Sequence, residues 1–160
     1  MRKTVLLFTL LATPVLTSLS QEAKAITADH DDPRLQRLKQ FFAKWDCPLG
    51  KDAAEFLIAS DLNGLDWRLL PSISFVESSG GKDYRNNNVF GWDSCRERFP
   101  SVRAGIHHVA AQLANSRLYK NKNLDRKLRT YNPVPGYSRR VKAVMRALAL
   151  NADTKAGVAD

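Results

Sequence analysis

The stretch Leu69-Leu70-Pro71-Ser72-Ile73-Ser74-Phe75-Val76-Glu77-Ser78-Ser79-Gly80-Gly81 sits near the middle of a 160-residue chain and governs how the rest is read. Leu70, Ile73 and Val76 recur at helical spacing. The pattern predicts a helix capped by Asp66, running from Trp67 to about Ser78, with Pro71 near the first turn, where a missing amide is tolerated best. Glu77 lies one turn beyond Ile73, at the end of this apolar helix. The Ser78-Ser79-Gly80-Gly81 segment is expected to stop the helix and open toward loops. Burial disfavours the charged form of a carboxylate, and an uncharged carboxylic acid is what a general acid requires. The plainer alternative for Glu77 is a surface carboxylate near a helix end.

Working outward, helical signals dominate. Asp32-Pro33 reads as an N-cap followed by proline at the first helical position. Leu35, Leu38, Phe41, Phe42 and Trp45 then make 33–45 amphipathic, and Cys47-Pro48-Leu49-Gly50 breaks the pattern. A helix from about Asp52 to Leu62 has Phe56, Leu57, Ala59 and Leu62 as its apolar members and stops at Asn63-Gly64. Beyond the central stretch, Ser78 to Trp92 is a loop or vestigial β-hairpin with an aromatic end. Ser101 caps a helix to about Asn115, with Val102, Ile106, Val109, Ala110 and Leu113 inward. Leu124 to Thr130 is a short helix. Tyr131-Asn132-Pro133-Val134-Pro135-Gly136 interrupts, and Tyr137 or Ser138 to Leu150 is the last helix. The expected fold is therefore a compact all-α domain of about six helices, with one loop inserted at its middle. It covers 33–150 as a single core, since so short a chain builds only one.

The flanks have different characters. Arg2 and Lys3, an apolar stretch from Val5 to Leu16, and Ala23-Lys24-Ala25 form an export signal over 1–25, cut after Ala25. The apolar run is far shorter than the ~20 residues that span a bilayer, so no membrane insertion is expected after cleavage. A polar leader fills 26–32, and 151–160 reads as a frayed tail. The protein is expected in the periplasm or outside the cell. Lys and Arg outnumber Asp and Glu by 25 to 16, for a charge of +9. Losing 1–25 removes three basic residues and one acid and leaves +7. Such a charge suits an anionic polymer.

Export also bears on the two cysteines. An oxidising compartment favours a disulfide between Cys47 and Cys95, worth about 4 kcal/mol through the unfolded chain; two free thiols are the alternative. Two cysteines with no histidine nearby do not make a zinc site. His107 and His108 are neighbours on one helix, point about 100° apart and share no metal; one is expected packed and the other exposed. No cofactor or metal is implied.

Three segments carry a family resemblance. The run from Ile73 to Gly81 resembles the catalytic-Glu segment of the lysozyme-like superfamily, above all the soluble lytic transglycosylases, in which a hydrophobic helix ends in Glu-Ser. Asn88-Val89-Phe90-Gly91-Trp92 resembles the glycine motif that follows, in the Asn-x-Phe-Gly form of peptidoglycan glucosaminidases. Tyr131-Asn132-Pro133, with Gly136-Tyr137 and Val141, resembles the third motif, a Tyr-Asn turn leading into a helix. Their order and approximate spacing agree, and they fall between about Asp52 and Leu148.

The resemblance implies an enzyme that cleaves the β-1,4 bond between N-acetylmuramic acid and N-acetylglucosamine in peptidoglycan glycan strands. It makes Glu77 the acid that protonates the glycosidic oxygen and Ser78 a hydrogen-bonding partner of Glu77 or of the sugar. Gly91 would let the backbone approach the glycan, within a substrate-binding segment that includes Asn88 and Phe90. Tyr131 would stand opposite Glu77, with Asn132 supporting the turn, although turn chemistry before Pro133 explains both as well. Trp92 stacks on a sugar face or belongs to the core.

The chain departs from the pattern where Gly91-Trp92-Asp93-Ser94 replaces the Gly-Leu-Met-Gln of lytic transglycosylases. Thirteen residues separate Glu77 from Gly91, too few for a β-lobe bearing a second carboxylate. Asp83 and Asp93 are the nearby candidates for that role. In the transglycosylases that the chain resembles, one carboxylate suffices because the sugar's N-acetyl and 6-hydroxyl groups complete the reaction and leave a 1,6-anhydro end, and the resemblance implies that chemistry here. Alternatives are a muramidase or N-acetylglucosaminidase that uses water, and a non-catalytic cationic wall-binding protein. The basic residues of the last two helices read as solvated faces. Export and the lack of a recognised motif argue against nucleic acid, and a cell-envelope assembly partner is compatible with the chain.

Overall fold

The computed structural model describes residues 31–150. The expected export signal over 1–25, most of the leader and the tail over 151–160 lie outside the described residues. Among those described, six α-helices follow one another: α1 (Pro33–Lys44), α2 (Ala53–Leu62), α3 (Leu69–Ser78), α4 (Val102–Asn115), α5 (Leu124–Tyr131) and α6 (Tyr137–Leu150). Short 3-10 turns occupy Pro48–Asp52 and Trp92–Cys95. No strand is present among these residues, and the expected vestigial hairpin is reduced to one bridge between Arg85 and Asn88. No helix among the described residues is long and apolar enough to cross a membrane.

Local chemistry sets most boundaries. The Asp32 carboxylate accepts from the Arg34 amide at 2.8 Å, with Pro33 opening α1. Ser101 Oγ accepts from Ala104 N at 3.1 Å to start α4, and Asn123 Oδ1 accepts from Arg126 N at 3.0 Å to start α5. Each satisfies an amide that the first helical turn leaves free. Asp66 likewise accepts from Arg68 N at 3.0 Å, but Trp67 and Arg68 form a turn and α3 begins at Leu69. Pro71 is thus the third residue of that helix.

The core gathers one face from each helix. Phe41 and Phe42 of α1 meet Phe75 and Phe56 edge-on or tilted, at centroid separations of 5.1 and 5.8 Å, within the range where aromatic pairs attract. The α2 helix packs against α4, and α3 packs against α6. The result leaves α3 enclosed: Leu69, Leu70, Pro71, Ser72, Ile73, Ser74 and Ser78 are all buried. Its carboxyl end delivers Glu77.

Two expectations about loops are corrected here. The Ser78–Gly81 turn does not open outward. Ser79 takes the left-handed conformation that ends α3, and Gly80 and Gly81 press against Cys47 and Leu49. A Cβ on Gly80 would lie 2.3 Å from Cys47 Sγ, so the contact demands glycine. The expected Cys47–Cys95 disulfide is also absent, both cysteines being free. The space beside Cys47 Sγ is taken by Gly80, and its neighbours are the Trp45 and Ser79 carbonyls, each 3.6 Å away. Cys95 is placed elsewhere, by the loop beside Gly91.

A basic stretch is only in part the solvated face it was expected to be. Lys127 Nζ donates to the Leu113 and Tyr119 carbonyls and so closes the end of α4. Lys122 Nζ donates to Thr130 Oγ1 at 2.8 Å. Lys142 pairs with Asp125 at 2.7 Å, and the Arg140 guanidinium lies 5.7 Å from the Tyr137 ring centroid.

Candidate active site

Glu77 is half-buried at the last turn of α3 and lines a cleft of about 780 Å³, inside the range of about 300–1,000 Å³ that small-molecule sites occupy. The loop from Gly91 to Glu97 forms one part of its wall. Leu118 and Tyr119, after α4, and Tyr131, Asn132 and Pro133, at the end of α5, form the rest. Five of the eight residues expected at the site, Glu77, Gly91, Trp92, Tyr131 and Asn132, line it.

Gly91 has a φ of +62°, and a Cβ there would lie 3.1 Å from Glu77 Oε2. Both the backbone conformation and the proximity of the carboxylate favour glycine here. Its approach is to the catalytic candidate rather than to substrate alone. The other oxygen, Glu77 Oε1, is buried without a hydrogen-bond partner.

Tyr131 stands by Glu77, as expected, but its hydroxyl is committed to the Phe90 carbonyl, to which it donates. This bond ties α5 to the glycine loop. Burial, reinforced by the charge of Glu77, pushes the Tyr131 phenol well above its ordinary range. Tyr137, whose placement in the site the sequence left unread, stacks on Tyr131 with ring centroids 6.0 Å apart and planes 7° apart. It is 1% exposed. Burial, then the neighbouring Tyr131 and Glu77, hold its phenol far above the ordinary value as well. Its hydroxyl faces the Glu77 carboxylate, to which it can donate, just outside the geometry of a well-formed hydrogen bond. Both phenols therefore keep their protons at any physiological pH.

Several residues expected to touch substrate are instead structural. Ser78, 3% exposed, donates to the Ser74 carbonyl at 2.8 Å and accepts from Gly81 N at 3.2 Å, so it latches the helix end. Phe90 is fully buried beside Phe56 and contributes its carbonyl to Tyr131. Asn88 is also buried. Its amide donates to the Trp92 and Glu97 carbonyls at 2.9 and 3.2 Å, while its oxygen accepts from Trp92 N at 2.9 Å. Asn86 and Asn87 donate to the Cys95 and Phe99 carbonyls at 3.2 and 2.9 Å. The three asparagines together hold the glycine loop against 92–99.

Trp92 does line the cleft, half-buried, with Tyr131, Tyr119 and His108 around it at centroid separations of 5.6, 5.9 and 6.2 Å. Asn132 lines it too, and its side chain accepts from Val134 N at 3.0 Å, which supports the turn as expected. Of the second-carboxylate candidates, Asp83 is exposed and away from the cleft. Asp93 is exposed at the rim and held by Arg96 at 2.5 Å. Glu97, unread in the sequence, shares that rim.

The histidines differ from expectation in that both are half-buried and partnered. His107 Nε2 lies 2.9 Å from Glu55 Oε2, to which Arg103 also pairs, and His108 stacks near Phe99 and Trp92. No group of three potential ligands among the described residues is arranged to hold a metal.

The chain matches no family model, no curated protein and no solved structure. The functional reading therefore stands on the cleft and on the motif residues that build it. What this arrangement can do chemically is donate and accept one proton from Glu77, beside two neutral phenols and in a cleft that Trp92 also lines.

Proposed function

We propose that the protein is an exported peptidoglycan-cleaving enzyme of the lysozyme-like kind, acting as a lytic transglycosylase. The observation that carries this reading is Glu77: one half-buried carboxyl group, one oxygen unpartnered, at the end of an enclosed helix and open to a cleft. Asp93 and Glu97 line the same cleft but are exposed to solvent, whereas Glu77 is half-buried.

Glu77 protonates the glycosidic oxygen as the C1–O bond of muramic acid breaks. The resulting carboxylate then takes the proton of the same sugar's 6-hydroxyl, whose oxygen bonds to C1. The product ends in 1,6-anhydro-muramic acid, and Glu77 is restored. The substrate's N-acetyl group shares the positive charge at C1, so no second protein carboxylate is needed. Trp92, half-buried in the cleft wall, is the aromatic ring placed to meet a sugar, with the buried Tyr119 packed against it.

A second reading follows from Asp93 and Glu97, since a rim carboxylate that activates water would make the enzyme an inverting hydrolase, whose two carboxyl groups stand about 6.5–9.5 Å apart. Digestion of purified peptidoglycan, with mass spectrometry of the released muropeptides, separates the readings. Anhydro-ended products from the native protein and none from Glu77→Gln are expected. Reducing-end products mean a hydrolase, and no release from either protein means a wall-binding protein without activity.

A further inference from the structure

The net charge of the folded region is gathered at its C-terminal end. Residues 31–115 hold eleven Lys and Arg and eleven Asp and Glu, whereas 116–150 hold ten Lys and Arg and one acid, Asp125. Lys142 pairs with Asp125, and Lys122 and Lys127 are spent on internal bonds. The cations left exposed in this segment are Lys120 and six arginines, whose guanidinium forks match pairs of phosphate oxygens. The same segment also holds apolar side chains out in water at the cleft. Leu118, 56% exposed, lines the cleft and lies in the chain between exposed Arg117 and Lys120. Pro133 lines it too, and Pro133-Val134-Pro135 is exposed throughout, with Val134 at 56%. Exposed Arg139 and Arg140 follow in the first turn of α6. The tip is fixed where it stands. Val134 N donates to Asn132 Oδ1 at 3.0 Å, Val134 O accepts from Tyr137 N at 3.1 Å, and a proline on either side locks φ.

We propose that Leu118 and the Pro133-Val134-Pro135 tip seat the protein on an anionic lipid surface, with Arg117, Lys120, Arg139 and Arg140 binding headgroup phosphates. Observations of two kinds meet here, segregated positive charge and apolar side chains held rigidly in solvent beside it. A soluble polyanion would satisfy the arginines and leave Leu118 and Val134 in water. A lipid interface takes both, the apolar groups entering at the acyl boundary and the cations staying among the headgroups. The protein lies on such a surface rather than spanning it. The cleft, whose walls include Leu118 and Pro133, then opens at the headgroups. Attachment of this kind goes beyond the glycan reading above and does not depend on what the cleft cleaves.

The test is sedimentation with vesicles of the processed chain from Ile26 onward. That chain keeps every described residue and lacks the apolar 5–16 stretch, which would bind lipid by itself. Vesicles of mixed phosphatidylglycerol and phosphatidylcholine are compared with phosphatidylcholine alone, at low and high salt. Binding is expected to the mixed vesicles only, and to weaken in high salt. Val134→Ser should lower it about ten-fold, the scale of one partly buried aliphatic side chain. Arg139→Gln should lower it about five-fold, the scale of one basic residue at an anionic surface. Val134→Leu should bind at least as tightly as native, and all three variants should keep the native melting temperature, since both positions are exposed. Equal binding to both kinds of vesicle, or native binding by Val134→Ser, would overturn the proposal. Absence of vesicle binding would overturn it too. If purified peptidoglycan then carried the protein down, and less of it with Arg139→Gln, the cations would belong to the wall polymer.

Discussion

The Glu77 carboxylate lies 3.1 Å from the point where a side chain on Gly91 would begin. Two segments joined by a thirteen-residue loop thus meet with no atom to spare. Gly91→Ala should displace the carboxylate by a few tenths of an ångström and add the cost of a left-handed L-residue, about 1–2 kcal/mol. The expected outcome is a folded protein with a lowered melting temperature and a muropeptide release far below native. Native activity in Gly91→Ala would show that the Glu77 position is not critical.

Tyr137→Phe isolates the buried phenol. Its hydroxyl faces the Glu77 carboxylate without a well-formed hydrogen bond, so removing it should change the melting temperature little. Once Glu77 has given up its proton, the hydroxyl is placed to donate to the carboxylate, and losing it should lower the rate by about two orders of magnitude, the low end for one positioned donor. A variant as active as native would confine Tyr137 to packing.

Acid titration should reveal two carboxylates of opposite sign. Hydrogen bonds from the Arg34 side chain hold Asp32 below its ordinary 3.8, so its contribution is complete above that value and is lost as pH falls through the depressed one. Burial pushes Asp52 above 3.8. Its contribution is complete below 3.8 and is lost as pH rises through the raised value. Asp52→Asn is therefore expected to raise the melting temperature at pH 7 and to match native at pH 3. Thermal unfolding followed at both pH values decides it.

Thiol titration of the native protein should find two reactive groups in sequence. Cys95, half-exposed at the cleft, reacts at once. Cys47, buried against Gly80 with its thiol pushed up by that burial, reacts only on unfolding. A protein that shows no thiol until reduced would contain the bridge that the structure lacks.

The helices were legible because each carries its own signals: the caps at Asp32 and Ser101, the stop at Asn63-Gly64, and apolar spacing throughout. Glu77, Gly91 and Tyr131 were legible because their motifs fix a backbone shape as well as a residue type. Ser78 and Asn88 misled for a physical reason. Small polar side chains bond to backbone as readily as to ligand, and only their burial tells the two apart. Tyr137 was hidden because a tyrosine opening an amphipathic helix reads as core, and its stacking on Tyr131 depends on the angle between α5 and α6. Glu97 and Tyr119 belong to the cleft through tertiary placement alone. The cysteines misled because compartment chemistry predicts pairing without regard to what occupies the space between the sulfurs.

The rim of the cleft includes Asp93, Ser94 and Cys95, three successive non-glycine residues with φ of 50°, 54° and 60°. The left-handed region costs an L-residue about 1–2 kcal/mol, least for Asp and Asn and most for branched side chains, and the asparagine staples hold this path from outside it. The rim is thus a sprung segment, kept in its course by side chains that stand behind it. A branched residue at 93–95 would loosen that wall of the cleft without touching Glu77.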